Sequence, residues 1–276
     1  MREENTQLVW FKRDLRVADN EVLAQAAEKG PVLPLYIVEP EYWLGSDTSA
    51  RQWDFIRDCL IELRISLDQL GVPLIVRYGN AIEILSQILQ SNNFRNLWSH
   101  EETGNSWTFN RDKNVAGWCR IRGIEWTELP QNGVIRGVTN RDKWATERKR
   151  FANRKQCTLP NLIKNVSKLH LGSIPKSEDL KIEYDGCVFR QKGGRSEGLK
   201  ALESFIFERG LNYRIDMTGC LCDNYDASTG TCSTPPITWN NVQPGGVSNP
   251  EVFAVGDTFT GTQNNQNALP YVVMSI

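Results

Sequence analysis

Residues 8–20 read LVWFKRDLRVADN, and this stretch decides the fold of the chain. Its first four residues are apolar and rich in β-formers, which is typical of a strand buried on both faces of a parallel sheet. The next residues carry four charges, at Lys12, Arg13, Asp14 and Arg16. Unpaired charges cannot continue into a core. Because Asp19 or Asn20 can then cap a helix, the stretch predicts a buried strand, a charged turn and a helix start.

Strand-like and helix-like runs continue to alternate as far as residue 129. Between residues 49 and 70, apolar residues recur at alternating steps of three and four, which places one apolar stripe along a long helix. Further strands are predicted at Val32–Val38, Leu74–Tyr78, Asn96–Ser99 and Ile124–Leu129. Strands separated by helices of this length need right-handed crossovers. The sequence therefore predicts an α/β fold with a doubly wound, Rossmann-like sheet of five parallel strands.

Two charged loops are the predicted ligand site. A doubly wound sheet binds ligands beyond the carboxyl ends of its strands, where the strand order reverses. With five strands we expect that reversal between the first and the fourth, which brings together the loops Lys12–Asp19 and Ser99–Asn105. The predicted cofactor-binding residues are Arg13, Asp14, Arg16, Glu101, Glu102 and Asn105. Arginines can grip a phosphate and glutamates can accept from a sugar or heterocycle, but the same charges could equally pair with one another and fasten the loops together.

Composition and missing motifs exclude several other classes of function. A chain of 276 residues that is 40% hydrophobic can bury a proper core. No apolar run has the length of a membrane span and the first residues lack a secretory signal, so a cytoplasmic location is expected. The sequence contains no phosphate-binding G-x-x-x-x-G-K-[ST] loop and no G-x-G-x-x-G after the first strand. With only two histidines, His100 and His170, neither a metal site nor a catalytic residue is predicted.

The opening stretch resembles the first strand and turn of the photolyase/cryptochrome family, which read much like W-F-R-R-D-L-R-x-x-D-N. Further stretches agree with that family in the same order, at residues 33–36 (LPLY), 98–105 (WSHEETGN), 111–112 (RD) and 131–136 (QNGVIR). The resemblance covers about residues 7–214. It implies a blue-light-driven flavoprotein, a deoxyribodipyrimidine photo-lyase or cryptochrome. In that family an α/β domain holds an antenna chromophore and a helical domain binds the FAD that repairs pyrimidine dimers in DNA.

The sequence departs from this family after Arg214. The Thr-Ser-x-Leu-Ser-Pro-Tyr stretch of the FAD-binding domain is not found, and residues 216–276 contain no Lys or Arg. We predict a photolyase-like α/β domain at 1–137, a partly helical connector at 138–193, the first helix of a truncated FAD-binding domain at 194–215 and an unassigned polar tail at 216–276. Alone, such a chain is expected to be the antenna half and catalytically inactive, without stable FAD binding and with weak or no binding of damaged DNA.

The nature of the ligand follows from the same resemblance. Folate-binding members carry an Asn-Glu pair where this chain has Trp107 and Thr108, so a deazaflavin or flavin nucleotide is favoured over folate as antenna chromophore, and the absence of any antenna chromophore stays an alternative. An alternative is a stand-alone module that binds a nucleotide-like ligand or senses light without redox chemistry. His100 could bind a ligand or serve as an oriented structural side chain.

Two further features of the sequence allow more than one interpretation. The basic stretch Asp142–Lys155 could contact a DNA backbone or form a solvated helix face. The tail cysteines, Cys220, Cys222 and Cys232, could bind a metal, but a fourth ligand is not evident, and a small or loosely ordered β extension is favoured. The remaining cysteines are predicted to be reduced thiols: Cys59, Cys119, Cys157 and Cys187.

Overall fold

The computed structural model describes residues 5–137, 141–158, 160–165, 169–184, 186–187 and 190–209, together with four short strands between residues 225 and 272. The chain divides into two compact units, Met1–Leu199 and Lys200–Ile276. The limits predicted from the sequence for the four segments stay predictions.

The first unit is built on a sheet of five parallel strands in the order β3-β2-β1-β4-β5. The strands are β1 (Gln7–Phe11), β2 (Val32–Val38), β3 (Ile75–Tyr78), β4 (Asn96–His100) and β5 (Glu125–Leu129). The helices between them are α1 (Glu21–Lys29), α2 (Pro40–Trp43), α3 (Ala50–Gln69), α4 (Ala81–Asn92) and α5 (Ser106–Arg122). The predicted doubly wound sheet is confirmed, and its strand order reverses between β1 and β4.

Strand β1 lies at the centre and is completely buried. Because successive side chains of a strand point to opposite faces, β1 supplies both cores. Val9 and Phe11 pack with residues of α1 and α3 on one face, whereas Leu8 and Trp10 pack with residues of α4 and α5 on the other. Each fully buried side chain of this size contributes about 1.5–3 kcal/mol, which explains why the first apolar run dominates the fold.

Asparagine side chains fix the starts of three helices. The Oδ1 atom of Asn20 accepts a hydrogen bond from Leu23 N at the start of α1, at 2.9 Å. Asn80 and Asn105 accept in the same way from Ile82 N and Thr108 N, at the starts of α4 and α5. Such caps satisfy backbone N–H groups that have no partner within the helix. Of the two caps predicted for α1, the structure uses Asn20.

The chain after β5 covers the outside of this sheet. A 3₁₀ turn at Arg141–Lys143 leads into α6 (Trp144–Ala152), and the next described helix is α7 (Arg195–Phe207). The intervening connector follows α3 and reaches the edge strand β3, where Val76 N donates to Leu171 O at 2.7 Å. Farther along, the guanidinium of Arg190 binds the carboxylate of Asp58 at 2.7 Å. The connector therefore occupies the open hydrogen-bonding edge of β3, which would otherwise invite pairing with another chain.

Replacement of Gly172 by alanine is expected to loosen the connector. Gly172 has a φ of +77°, and a Cβ atom there would collide with the carbonyl oxygen of Val76. Gly186→Ala is the matched control, since its φ is +73° but no atom of the described residues lies within 4 Å of its added Cβ. We expect Gly172→Ala to cost about 2–4 kcal/mol in urea unfolding and Gly186→Ala about 1–2 kcal/mol. Equal losses would contradict the contact between the connector and β3.

The second unit contains two small antiparallel sheets. Strands β6 (Tyr225–Asp226) and β7 (Thr231–Cys232) form one pair, and β8 (Thr258–Thr260) and β9 (Pro270–Val272) form the other. Cys220 and Cys222, for which the sequence allows but does not favour a metal site, lie outside the described residues. Cys59 and Cys119 are buried thiols, and Cys157 and Cys187 are partly buried thiols, as predicted. No described helix is both long and apolar enough to cross a membrane.

Candidate functional site

A cavity of about 590 Å³ opens at the carboxyl ends of β1 and β2. Its floor is formed by residues at the ends of these strands, among them Trp10, Tyr36 and Glu39. Helices α2, α3 and α5 form its walls, and the connector contributes residues at one side. The remaining lining residues that matter below are Arg13, Tyr42, Trp43, Arg51, Gln52, Phe55, Glu102, Thr108, Arg111, Cys187 and Arg190. A cavity of this volume suits a small organic ligand.

Aromatic side chains contribute to the lining of the cavity, and further aromatic rings pack behind them. Tyr42 packs edge-on against Trp43 with ring centroids 5.2 Å apart, and Trp43 packs against Trp53 at 4.8 Å. The ring of Trp107, which stands where folate-binding members of the family carry an asparagine, lies 5.4 Å from the ring of Tyr42. Aromatic side chains provide flat, rigid surface at a small entropic cost. The arrangement is therefore suited to a planar ring.

Arg111 of α5 is the centre of the polar end of the cavity. Its Nη1 atom binds Glu39 Oε2 at 2.7 Å, and its Nη2 atom binds Asp112 Oδ1 at 2.9 Å and approaches Glu102 Oε2 at 3.5 Å. The guanidinium also lies over the ring of Trp10, 4.9 Å from its centroid. Burial opposes the charge, but these carboxylates hold the pKa of Arg111 above its ordinary value. Arg111 is therefore a fixed cation with a defined orientation.

An ion pair joins the two charged loops that the sequence brings together. Arg13 Nε binds Glu102 Oε1 at 2.7 Å, and an Nη atom of Arg13 donates to the hydroxyl of Tyr42 at 2.9 Å. The partner of Arg13 is thus Glu102 and not Glu101. A Cβ atom on Gly104 would lie 2.9 Å from Glu102 Oε1 and 3.0 Å from Arg13 Nη2. A side chain at position 104 would therefore crowd the ion pair between Arg13 and Glu102, and glycine avoids this.

A second group of charges fills the end of the sheet near β4 and β5. Lys12 Nζ lies 3.1 Å from Asp112 and 3.5 Å from Glu128, and its side chain is only 4% exposed. Arg136 binds Glu128 from the outside at 3.0 Å. Because these side chains occupy the space beside the strand reversal, the cavity opens over β1 and β2 and not midway between β1 and β4.

Glu39 is a buried carboxyl group at the polar end of the cavity. It follows β2 directly, and its side chain is 8% exposed. Burial raises its pKa to about 7, although Arg111 acts in the opposite direction. Charged carboxylates are costly in such surroundings. Glu39 therefore changes its charge near neutral pH, which is a common property of ligand-binding and catalytic groups.

The predicted site residues divide into three sets. Arg13 and Glu102 line the cavity. Asn105 lies next to it, capping α5 and donating from Nδ2 to Asp47 Oδ2 at 3.2 Å. The other three do not line it: Asp14, Arg16 and Glu101. Whether any of the six binds a cofactor stays a prediction.

Asp14 and His100 form a buried pair behind the charged loops. Asp14 Oδ2 lies 2.6 Å from His100 Nδ1, and both side chains are 1% exposed. Asp14 also accepts from Lys12 N at 3.0 Å and from Asn20 Nδ2 at 3.3 Å. Burial opposes its ionisation, but these hydrogen bonds hold the pKa of Asp14 below its ordinary value. The geometry supports the structural interpretation of His100, because the pair shapes the turn.

Several lining residues were not identified by the sequence analysis. Glu39 could have been found, since it directly follows the carboxyl end of a predicted strand. Arg111 belongs to one of the stretches that resemble the family, but the sequence predicts no role for it. Arg190 and Cys187 lie in a connector without periodicity, and no pattern places them at the cavity. No group of side chains with the composition of a metal site occurs among the described residues.

Comparison with known proteins gives a consistent result. A family model described as DNA photolyase matches residues 7–151. A cryptochrome DASH of Natronomonas pharaonis is 26% identical over 249 residues, which cover 81% of this chain and 52% of that protein. The chain spans about half, or less, of the length of the curated relatives that it matches.

Solved structures share the fold. A cryptochrome of Synechocystis sp. matches with a TM-score of 0.63 and 21% identity, over 79% of this chain and 50% of that one. An archaeal photolyase of Sulfolobus tokodaii matches with a TM-score of 0.54 and 23% identity, over 71% of this chain and 46% of that one. The latter structure holds two FAD molecules and implicates a light-harvesting cofactor.

Proposed function

The chain belongs to the DNA photolyase family, and on that premise we propose that its α/β unit binds a flat antenna chromophore of the flavin or deazaflavin type in the cavity above β1 and β2. When bound, such a chromophore absorbs blue light and passes the excitation energy on. The residues of the chain bind the ring, orient it and exclude water from it.

The observation that carries this proposal is the combination of aromatic walls with one charged end in a cavity of about 590 Å³. Tyr42, Trp43 and Phe55 offer flat surface to a ring system. Glu39, Thr108 and Arg111 supply donors and acceptors that fix its orientation. Flat aromatic surface together with polar groups that fix the orientation of a ring is typical of sites for small organic ligands.

The rim of the cavity suits an acidic substituent on the ligand. Three arginines line it, Arg13, Arg51 and Arg190, and they come from a loop, a helix and the connector. Guanidinium groups bind phosphate and carboxylate through paired hydrogen bonds. Arg13 also binds Glu102 and Arg190 also binds Asp58, so an acidic substituent would share these arginines with a carboxylate. We propose that a phosphate or carboxylate on the ligand strengthens binding, and that an uncharged flavin still binds through its ring.

The proposal assigns light collection to this unit and not the lyase reaction. Electron transfer to a pyrimidine dimer would belong to a FAD-bearing domain, and none of its steps is assigned to the described residues. Damaged DNA is proposed as a substrate of the assembled flavoprotein only. A module that binds a nucleotide-like ligand without light chemistry would use the same cavity, and the absorption spectrum of the purified chain distinguishes the two.

Filling the cavity from α3 is expected to weaken ligand binding. Gln52 is exposed and lines the cavity, so Gln52→Trp places a large ring in the space proposed for the ligand. Gln69→Trp is the matched control, the same exchange at an exposed position near the end of α3. We expect Gln52→Trp to weaken FMN and riboflavin binding at least about tenfold, which corresponds to about 1.4 kcal/mol, and Gln69→Trp to leave it unchanged.

The measurement is quenching of flavin fluorescence by the full chain, together with the visible spectrum of the protein as purified. Circular dichroism of both variants confirms that they are folded. Equal affinities of the two variants for flavin would overturn the location of the site. A wild-type chain that binds neither flavin would overturn the proposed function itself.

A further inference from the structure

Resting on the proposed function, we infer that Glu39 determines which ligand the cavity accepts. Its Oε1 atom donates a hydrogen bond to an acceptor on the edge of the ring, a carbonyl oxygen or an unprotonated ring nitrogen. The preferred ligand is therefore a heteroaromatic ring with such an acceptor edge, and a purely hydrocarbon ring is rejected.

The two carboxyl oxygens of Glu39 have different hydrogen-bond surroundings. Oε2 accepts the hydrogen bond from Arg111 Nη1 at 2.7 Å. Among the described residues no hydrogen bond to Oε1 is found, and the carboxyl group lines the cavity. Oε1 is also absent from the enclosed side-chain atoms that lack a partner, so it is open to the cavity. A ligand with an acceptor edge can pair with Oε1, whereas a hydrocarbon ring would take water away from it without replacing the hydrogen bond.

The surroundings of Glu39 make its neutral form accessible. The charged and titratable groups that face it are Arg111 and Asp112 from α5, Lys12 after β1 and Tyr36 from β2. Arg111 is shared with two other carboxylates, and Lys12 is paired with Asp112 and Glu128. Each of these two cations therefore also compensates the charge of other carboxylates besides Glu39. Burial therefore dominates and raises the pKa of Glu39 to about 7.

The location of the proton follows from the same contacts. Because Arg111 donates to Oε2, a proton on Glu39 resides on Oε1, the oxygen that faces the cavity. The neutral group is then a donor aimed at the ligand. Above the pKa, the same oxygen is an anion that repels an acceptor. Ligand affinity is therefore expected to fall as the pH rises through about 7.

Glu102 provides a contrast within the same cavity. Its side chain is 3% exposed, but both oxygens have partners, Arg13 on Oε1 and Arg111 on Oε2. Glu102 consequently has no oxygen left to discriminate between ligands. The two carboxyl groups allow a matched comparison, since Glu→Gln has the same shape at either position.

The experiment measures riboflavin binding by the full chain between pH 6 and pH 8. Riboflavin is the probe because it carries no phosphate that titrates in this range. We expect the wild-type affinity to fall about tenfold over two pH units, as a single donor group with a pKa near 7 requires. Glu39→Gln carries a permanent donor amide, so its affinity is expected to stay near the wild-type value at pH 6 and to be independent of pH. Glu102→Gln is expected to keep the wild-type slope.

Each outcome of this experiment either supports or overturns the donor role of Glu39. A wild-type affinity that is constant or that rises with pH overturns the donor role of Glu39, a rising affinity indicating that Glu39 accepts from a ring N–H. A slope that persists in Glu39→Gln assigns the pH dependence to another group and also overturns it. If Glu39→Gln does not fold, as judged by circular dichroism, the wild-type profile alone still tests the inference. Failure to bind riboflavin at any pH contradicts the proposed function instead.

Discussion

Replacement of Asp14 by alanine is expected to lower the free energy of unfolding by about 3–5 kcal/mol, because it leaves several buried donors without their acceptor. The carboxylate of Asp14 accepts from Lys12 N, Asn20 Nδ2 and the imidazole of His100. Without it, His100 remains in the core with both ring nitrogens unpaired, because Nε2 already has no partner among the described residues. Asn20 also loses a contact that orients it as the cap of α1.

Urea unfolding at pH 7 measures this loss, with Asp68→Ala as the control. Asp68 is an exposed carboxylate near the end of α3, and its removal is expected to change stability by less than about 0.5 kcal/mol. The pH dependence has a definite sign. Since the folded pKa of Asp14 is lowered, its contribution is complete above the ordinary pKa of an aspartate and is lost as the pH falls through the lowered value. The gap between wild type and Asp14→Ala is therefore expected to narrow in acid, and a gap that widens there would contradict the assignment.

Arg111→Met is expected to have the second large effect, on stability and binding together. The methionine keeps an extended apolar side chain but removes the positive charge that Glu39, Glu102 and Asp112 share. We expect a loss of about 3 kcal/mol or more in urea unfolding. Flavin affinity should fall at least about tenfold, about 1.4 kcal/mol, because the polar end of the cavity loses its fixed donor. Arg120→Met, on the exposed side of α5, is the control and is expected to change neither property measurably.

The variant Arg111→Lys tests whether the positive charge of Arg111 or the planar geometry of its guanidinium is responsible for these effects. A lysine restores one positive charge but cannot hold several carboxylates with a planar fork. We expect it to recover part of the stability and less of the affinity. Full recovery of both by lysine would show that only the charge matters. Unchanged unfolding of Arg111→Met would contradict the ion network itself.

The sheet could be predicted because its signals are local and redundant. An unbroken apolar run such as Leu8–Phe11 has few alternatives to a buried central strand, and the stripe along α3 has the period of a helix. The reversal between β1 and β4 then follows from general rules of connection. These inferences need only spacing and polarity, which the sequence contains.

The site was predictable only in part, because charge alone does not say which carboxylate meets which cation. The sequence brings the loops of Arg13 and Glu102 together, and the structure agrees. It cannot reveal that Asp14 turns inward to His100 while Lys12 reaches Asp112, one hundred residues away. Still less can it place Arg190, because the connector reaches the cavity through contacts with Asp58 and not through a periodic element.

The contact between the connector and β3 has a consequence for synthesis of the protein. Val76 meets Leu171, which leaves the ribosome roughly 95 residues later. At about 5–20 residues per second, the edge of β3 stays uncovered for about 5–20 s in each nascent chain. During that interval neighbouring nascent chains compete with the connector for the same backbone groups. The speed at which the ribosome passes through the stretch before Leu171 therefore helps to set the yield of native protein, independently of how stable the finished fold is.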